Sequence, residues 1–189
     1  YSLIVEDGTP LKESLERGEI SLPDEETTLA FQTMVEQALP RAGYERYEIS
    51  NYAKKGCECR HNLAYWLRED YLGLGCAAHS LMNGLRFGNT ADLDGYIAGE
   101  YSREEQALAL LGERVEAVML GLRLTRGLSL ADYRARYGRD LLKEAPSAFE
   151  KLRGLGLMKW NEERLFFTPH GLRVQNAALV EILDEMEGE

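Results

Sequence analysis

The fold is decided by a short stretch late in the first half of the chain, Asp70-Tyr71-Leu72-Gly73-Leu74-Gly75. Aromatic and aliphatic residues that run into paired glycines are typical of a strand ending in a tight turn. Two earlier runs also read as strands: Tyr1–Val5 is β-branched and aromatic, and Tyr44–Ser50 contains Tyr47 and Ile49. Helical patterns separate the first two runs, and this alternation predicts a parallel sheet covered by helices, the α/β class.

Local signals predict the helices and the hairpin of this half. Pro10 suits the first position of a helix that extends to about Gly18, and acidic residues from Asp24 begin a second helix that ends at Gly43. Asn83-Gly84 lies at the centre of Leu81–Asn89 and predicts a β-hairpin.

The second half is predicted to be mostly helical, with one β-hairpin. Ser129 can cap a helix with its hydroxyl, and Thr168-Pro169 can begin another that extends to about Met186. Three helices, a hairpin and a further helix describe a winged-helix-like α+β module. The remaining predicted elements are a long helix over Glu104–Leu122, helices from Ser129 to Tyr137 and from Pro146 to Arg153, and a hairpin of 157–160 with 164–167.

Charge supports a boundary near residue 100. Residues 1–100 carry a net charge of −8 and residues 101–189 a net charge of −2, and a short polar segment at 99–103 could link them. The total of −10 argues against a general polyanion binder. No run approaches the roughly 20 apolar residues of a membrane helix. Tyr1 begins an apparent strand without a lead-in, so we expect the sequence to be a fragment of a longer protein.

Three cysteines, Cys57, Cys59 and Cys76, form a sparse set that favours a reducing, cytoplasmic location. Cys57 and Cys59 with His61 supply three donors within five residues, fewer than a tetrahedral metal site or an iron–sulfur cluster needs. Free cysteines are therefore the simpler interpretation.

The densest functional signal is Cys59–Trp66, followed by Tyr71–Ser80. If His61–Trp66 is helical, His61 and Tyr65 share one face, and Asn62 and Trp66 share the neighbouring face. An imidazole beside large aromatic rings suits a flat apolar ligand with a coordinating centre, such as haem. The simpler alternative is a capping histidine with two core aromatics.

Basic residues could assist such a ligand, since Arg60, Arg68 and Arg86 could pair with propionates. The glycines of Gly73-Leu74-Gly75 would let the backbone approach a nucleotide-like ligand closely, although ordinary turns use the same residues. His79 follows this loop, and His170 is expected to be exposed at a helix start.

A DNA-binding role is a further alternative for the winged-helix-like half. Residues 123–173 carry a net charge of +5, but Glu162 and Glu163 at the predicted wing tip would repel phosphates. No nucleic-acid partner is therefore expected. The strands of the first half look like the tail of a larger α/β barrel, and a module that covers the mouth of that barrel or contacts a partner protein fits better.

The combined motifs resemble one known family. Tyr47–Ala53, Cys59-Arg60-His61-Asn62-Leu63-Ala64-Tyr65-Trp66 and Asp70–Gly75 with Ala78-His79-Ser80 resemble the radical S-adenosylmethionine family of oxygen-independent coproporphyrinogen III oxidases. The HNxxYW element is similar to that of the branch regarded as haem chaperones. Residues 116–127 resemble the start of the family's C-terminal domain, and residues 165–171 resemble its end.

The resemblance implies the last strands and helices of a partial (β/α)₆ barrel at 1–100 and a small winged-helix-like domain at 101–189. It implies haem contact through His61, as ligand to the iron, with Asn62, Tyr65 and Trp66 shaping the site. It also implies S-adenosylmethionine contacts, at Ile4, Gly73, Gly75, Cys76, Ala77 and His79. The family usually has glycine near the position of Cys76 or Ala77, so extra bulk there could crowd the cofactor.

The family holds a 4Fe-4S cluster on a CxxxCxxC loop, and this sequence contains no such triplet. We therefore expect this chain alone to perform no radical chemistry. Two functions of the parent protein stay open: a carrier that delivers haem to acceptor proteins, and an oxidase that decarboxylates coproporphyrinogen III. The HNxxYW element favours the carrier.

Overall fold

The computed structural model describes residues 3–101, 103–107 and 109–188. Its contacts divide the chain into two compact units. The first unit comprises Tyr1–Arg46 and Ser50–Cys57, and the second comprises Tyr47–Ile49 and Glu58–Glu189. The boundary near residue 100 stays a prediction.

The first unit contains two helices that begin at side-chain caps. The Thr9 hydroxyl accepts a hydrogen bond from the amide of Lys12 at 3.3 Å, and the Asp24 carboxylate accepts one from the amide of Thr27 at 2.8 Å. Such caps satisfy amides that have no partner within a helix. Both predicted helices are confirmed, although neither buries a residue. The elements are α1 (Pro10–Glu16), α2 (Glu25–Arg41), β1 (Glu45–Arg46) and β2 (Tyr52–Ala53).

The predicted parallel sheet is wrong for the described residues. Tyr1 and Ser2 lie outside them, and residues 3–6 belong to no strand. The β1 strand pairs antiparallel with β2 across a short loop, and Tyr71 forms a single antiparallel bridge with Leu81. The run at 44–50 also forms a single antiparallel bridge to a distant segment, between Glu48 and Leu124. The named strand pairs are all antiparallel.

The predicted hairpin around Asn83-Gly84 is confirmed. Asn83 and Gly84 have φ values of +52° and +79°, which a two-residue hairpin turn requires. The resulting strands, β3 (His79–Met82) and β4 (Leu85–Asn89), form a three-stranded antiparallel sheet with β5 (Arg103–Ala107).

The predicted long helix begins too early. Residues 103–107 pair with β4 as a strand, and α5 spans only Leu110–Gly121. Ser102 of the predicted linker and Leu108 of the predicted helix lie outside the described residues. The short helix α4 (Leu93–Ile97) lies between β4 and β5 in the sequence.

The C-terminal part of the second unit follows the predicted order closely. The Ser129 hydroxyl caps α6 by accepting from the amide of Asp132 at 3.1 Å, and the Thr168 hydroxyl caps α8 by accepting from the amide of Gly171. The single last helix predicted to Met186 is two helices, because Val174 departs from helical geometry. The elements are β6 (Leu128–Ser129), α6 (Leu130–Tyr137), a 3₁₀ turn (Leu141–Lys143), α7 (Pro146–Gly154), β7 (Met158–Trp160), β8 (Arg164–Phe167), α8 (Pro169–Arg173) and α9 (Gln175–Glu187).

These elements enclose one apolar core. The sheet has the strand order β6–β8–β7, and α5 and α7 both contact α9. Each large apolar side chain buried there contributes about 1.5–3 kcal/mol. The core contains Val118, Leu122, Tyr133, Leu141, Ala145, Ala148, Phe149, Leu152, Met158, Leu165, Phe167, Leu172, Ala178, Leu179, Ile182 and Met186. The chain is thus of mixed α/β class with small antiparallel sheets.

Candidate functional site

The short helix α3 (Arg60–Trp66) carries the sequence element that indicated a ligand. It ends at Leu67, and Arg68 then turns the chain with a φ of +55°. The guanidinium of Arg136 donates to the carbonyl oxygens of Leu67 and Arg68, at 3.5 and 3.2 Å. The end of α3 is thereby attached to α6.

Arg68 also attaches the end of α3 to α5. Its side chain is buried, and its Nε donates a hydrogen bond to Glu116, while Nη2 lies 3.7 Å from Glu113 Oε1. Arg86 contributes a second cation to Glu116, with Nη1 2.5 Å from Oε1. Burial raises the pKa of Glu116, but the hydrogen bonds from Arg86 and Arg68 together lower it by more. The pKa of Glu116 is therefore below its ordinary value. Arg68 and Arg86 are therefore already paired with acidic side chains, and their pairing with propionates stays a prediction, whereas Arg60 is exposed.

His61 is exposed on α3, and its ring meets Tyr65 edge to face with centroids 4.8 Å apart. The predicted shared face of His61 and Tyr65 is confirmed. Tyr65 in turn meets Tyr71 at 4.6 Å, so the histidine borders a row of aromatic rings. The imidazole forms no hydrogen bond or ion pair with the described residues. An iron ligand needs an accessible ring nitrogen, and His61 meets that requirement.

Asn62 and Trp66 lie on the other face of α3 and make different contacts. The Asn62 amide donates to the Tyr47 hydroxyl at 3.4 Å. The guanidinium of Arg123 lies 5.3 Å from the Trp66 ring centroid, a cation–π contact. The structure thus brings His61 and Tyr65 together and directs Trp66 elsewhere.

A cavity of about 110 Å³ borders Trp66, but neither His61 nor Tyr65 lines it. Its walls come from the end of α3, from α5, from the segment that leads into α6, and from β8. The charged and aromatic residues of the lining are Trp66, Arg68, Arg126, Asp132, Tyr133, Arg136, Tyr137 and Arg164.

Tyr133 is buried and Tyr137 is half-buried, and the hydroxyl oxygens of both are buried. Burial raises the pKa of Tyr133 well above its usual range, and Glu144 raises it further. Burial also raises the pKa of Tyr137, although Arg136 and Arg68 lower it in part. Sequence reasoning missed this cavity because its walls are far apart in the chain and share no linear motif.

The glycine loop after Tyr71 folds against its own chain. A Cβ on Gly73 would lie 2.2 Å from the carbonyl oxygen of His79, so only glycine fits there, and the Gly73 amide donates to Ser80 Oγ at 3.0 Å. The sequence predicted that the backbone at Gly73 could approach a ligand closely. In the structure it approaches the backbone of His79.

The remaining predicted cofactor residues are accessible to different degrees. The Gly75 carbonyl accepts from the Asn89 amide at 2.8 Å, and Cys76 Sγ lies 3.2 Å from the carbonyl oxygen of Thr90. Ala77 is exposed with a φ of +58°. His79 is exposed with its ring 3.0 Å from the position of a Cβ on Gly88. Ile4, in the first unit, is 76% exposed.

Metal and membrane signals are both missing within the described residues. No group of three or more histidine, cysteine or acidic side chains there could hold a metal ion. Among the same residues, no helix has the length and apolar character needed to cross a bilayer. Cys57 and Cys59 are exposed, and Cys76 is half-buried.

Comparison with known proteins gives consistent matches. The family described as the HemN C-terminal domain matches residues 113–174. The heme chaperone HemW of Bacillus subtilis is 33% identical over 191 residues, which cover 98% of this chain and 50% of the relative. The heme chaperone HemW of Synechocystis is 38% identical over 138 residues, covering 69% of this chain and 34% of the relative.

One solved structure shares the fold. Coproporphyrinogen III oxidase (HemN) from Escherichia coli, described as a radical SAM enzyme, matches with a TM-score of 0.65 and 16% identity. The match covers 85% of this chain and 42% of that one. The chain spans about half the length of the curated relatives it matches. With the C-terminal domain at 113–174, it belongs to the HemW haem chaperone family and corresponds to its C-terminal portion.

Proposed function

We propose that the protein containing this chain binds haem and delivers it to acceptor proteins in porphyrin metabolism. The observation that carries the proposal is the exposed imidazole of His61, which has no hydrogen bond among the described residues and borders the Tyr65 ring at 4.8 Å. The chain that carries this histidine is similar to proteins named heme chaperone HemW. Haem would supply an iron that accepts a nitrogen ligand.

In this proposal the residues of α3 have separate roles. His61 offers a ring nitrogen to the iron, and Tyr65 supports the imidazole from its edge. Asn62, through its hydrogen bond to the Tyr47 hydroxyl, and Trp66, through its contact with Arg123, fix the rotation of the helix that presents the histidine. Ligand exchange to an acceptor protein requires an accessible site, and the exposure of His61 is consistent with that requirement.

The finer architecture is part of the same proposal. We assign residues 1–100 to the C-terminal part of a partial (β/α)₆ barrel and residues 101–189 to a winged-helix-like domain. Parallel pairing of the barrel strands would involve other parts of the parent protein. The fold likeness to coproporphyrinogen III oxidase supports it. S-adenosylmethionine would contact Gly73, Gly75, Cys76, Ala77 and His79 of the second unit, and the contact expected at Ile4 stays a prediction. A 4Fe-4S cluster would be held by other parts of the parent protein. A cytoplasmic location stays a prediction.

The oxidase alternative has weaker support. The chain resembles the oxidase structure at only 16% identity, whereas the relatives near 33% identity are named as chaperones. Anaerobic incubation of the full-length protein with coproporphyrinogen III and S-adenosylmethionine tests it. We expect no vinyl product, and vinyl formation at a steady rate would favour the oxidase.

Haemin titration tests the proposed ligand. We expect His61→Ala to weaken haemin binding by tenfold or more in the full-length protein, with a changed Soret band, because an axial ligand is lost. The chain of 189 residues is titrated in parallel. His170→Ala is the matched control, since His170 is also exposed near the start of a short helix. Equal spectra and affinities for wild type, His61→Ala and His170→Ala would show that His61 is not the ligand.

A further inference from the structure

The cavity beside Trp66 contains hydrogen-bond donors that have no acceptor. Trp66 Nε1, the Tyr133 hydroxyl and both Nη atoms of Arg68 are buried, and each forms no hydrogen bond in the described structure. Tyr133 and Arg68 are each only 2% exposed. A buried donor without an acceptor is unfavourable, so several in one place indicate a missing acceptor.

The charge around the cavity is positive, although the whole chain carries −10. Arg126, Arg136 and Arg164 line it, and Asp132 is the acidic residue of the lining. Arg68, which also lines it, is balanced by Glu113 and Glu116. This local excess favours an anion over a cation or a neutral ligand.

The arginines that line the cavity differ in how many hydrogen bonds and ion pairs they already form. Arg136 donates to the carbonyls at the end of α3, and Arg164 Nη1 donates to the Gly127 carbonyl at 3.1 Å. Arg126 is exposed and forms no ion pair with the described residues. Its guanidinium is therefore available to a ligand that enters from solvent.

The size of the cavity restricts the ligand. Its volume of about 110 Å³ is several times the roughly 10–15 Å³ that a single ordered water needs. Sites for larger ligands such as nucleotides or porphyrins usually enclose about 300–1,000 Å³. A ligand of four or five heavy atoms fits, and it must present acceptors on several sides.

We propose that this cavity binds a small oxyanion, either a phosphate or a carboxylate, through the indole N–H of Trp66, the Tyr133 hydroxyl and the guanidinium of Arg126. The site lies beside the end of α3 and is separate from the face that carries His61. It therefore does not depend on the haem proposal. A bound oxyanion would supply acceptors to donors that are otherwise unsatisfied, and it would neutralise part of the local positive charge.

The test is a titration of the chain with inorganic phosphate, with sodium acetate and with sodium chloride at equal ionic strength. Calorimetry measures affinity, and thermal unfolding measures the stabilisation that a bound ligand must produce. We expect saturable binding of phosphate or acetate but not of chloride. Equal affinities for phosphate and acetate would indicate a general oxyanion site. Tighter binding of one would show whether the cavity takes a phosphate or a carboxylate.

Two variants and a matched control locate the site. We expect Arg126→Gln and Tyr133→Phe each to weaken oxyanion binding about fivefold to tenfold, because each removes a donor. Arg134→Gln also removes one positive charge, but from a residue of α6 that does not line the cavity. The affinity of this variant for the oxyanion should therefore equal that of the wild type. Absence of saturable oxyanion binding, which would leave the cavity to water, would overturn the proposal. So would equal affinity in Arg126→Gln and Arg134→Gln.

Discussion

The helices α2 and α7 differ in what holds them in place. The 17 residues of α2 include no buried side chain, and Phe31 and Met34 are 55% and 66% exposed. The 9 residues of α7 bury Phe149 and Leu152 almost completely. Both helices form, so helix formation and burial are separable. Caps and local propensity can specify a helix, whereas a core needs partners from distant parts of the chain.

The sharpest test of this contrast compares one phenylalanine from each helix. Phe149→Ala should reduce the free energy of unfolding by about 4 kcal/mol, since it removes a fully buried ring and leaves a cavity. Phe31→Ala should cost less than about 1 kcal/mol, because the ring is already half exposed. Urea denaturation followed by circular dichroism measures both. Equal losses would mean that Phe31 is buried in solution.

The next largest effect concerns the buried ion pair. Glu116→Gln should destabilise the chain by about 3 kcal/mol at neutral pH, because it leaves the buried guanidinium of Arg68 without its main counter-charge. The exposed pair of Lys151 and Glu181 is the control, and Glu181→Gln should cost below about 1 kcal/mol.

The pH dependence of that effect has a defined sign. The pKa of Glu116 is lower in the folded chain than its ordinary value of 4.5, so the pair contributes fully above pH 4.5 and is lost as the pH falls through the folded pKa. The difference in unfolding free energy between wild type and Glu116→Gln should therefore shrink below pH 4.5. A difference that stays constant down to pH 3 would contradict this assignment.

The smallest effect should be alike in both regions, since capping is local. Ser129→Ala and Asp24→Ala should each weaken its helix by about 1 kcal/mol, because each removes an acceptor from a helix N-terminus. Amide hydrogen exchange in α6 and α2 measures the local free energies. A loss several times larger at Ser129 would show that the cap also supports the core.

Features set by local signals could be predicted from the sequence. Asn83-Gly84 indicated the hairpin because a two-residue turn needs positive φ at both positions. Ser129 and Thr168 indicated helix starts because their hydroxyls accept from amides three residues later. The helical spacing likewise predicted that His61 and Tyr65 meet on one face of α3.

Features set by distant partners could not be predicted. Residues 103–107 are mostly good helix formers, yet they form a strand because β4 pairs with them. Arg68 seemed free to bind a propionate, but Glu116, far along the chain, pairs with it inside the protein. The cavity beside Trp66 has the same origin, since its walls join residues from three separate stretches, 66–68, 117–137 and 164.

Arg68 has one more consequence for the histidine that precedes it. Its carbonyl accepts from Arg136 on α6, and its side chain pairs with Glu113 and Glu116 on α5. A helix of two turns has little stability of its own, so the direction in which α3 presents His61 is inherited from α5 and α6. If His61 binds haem as proposed, substitutions in those two helices would change how the ligand is presented and exchanged, and would leave the imidazole itself unaltered.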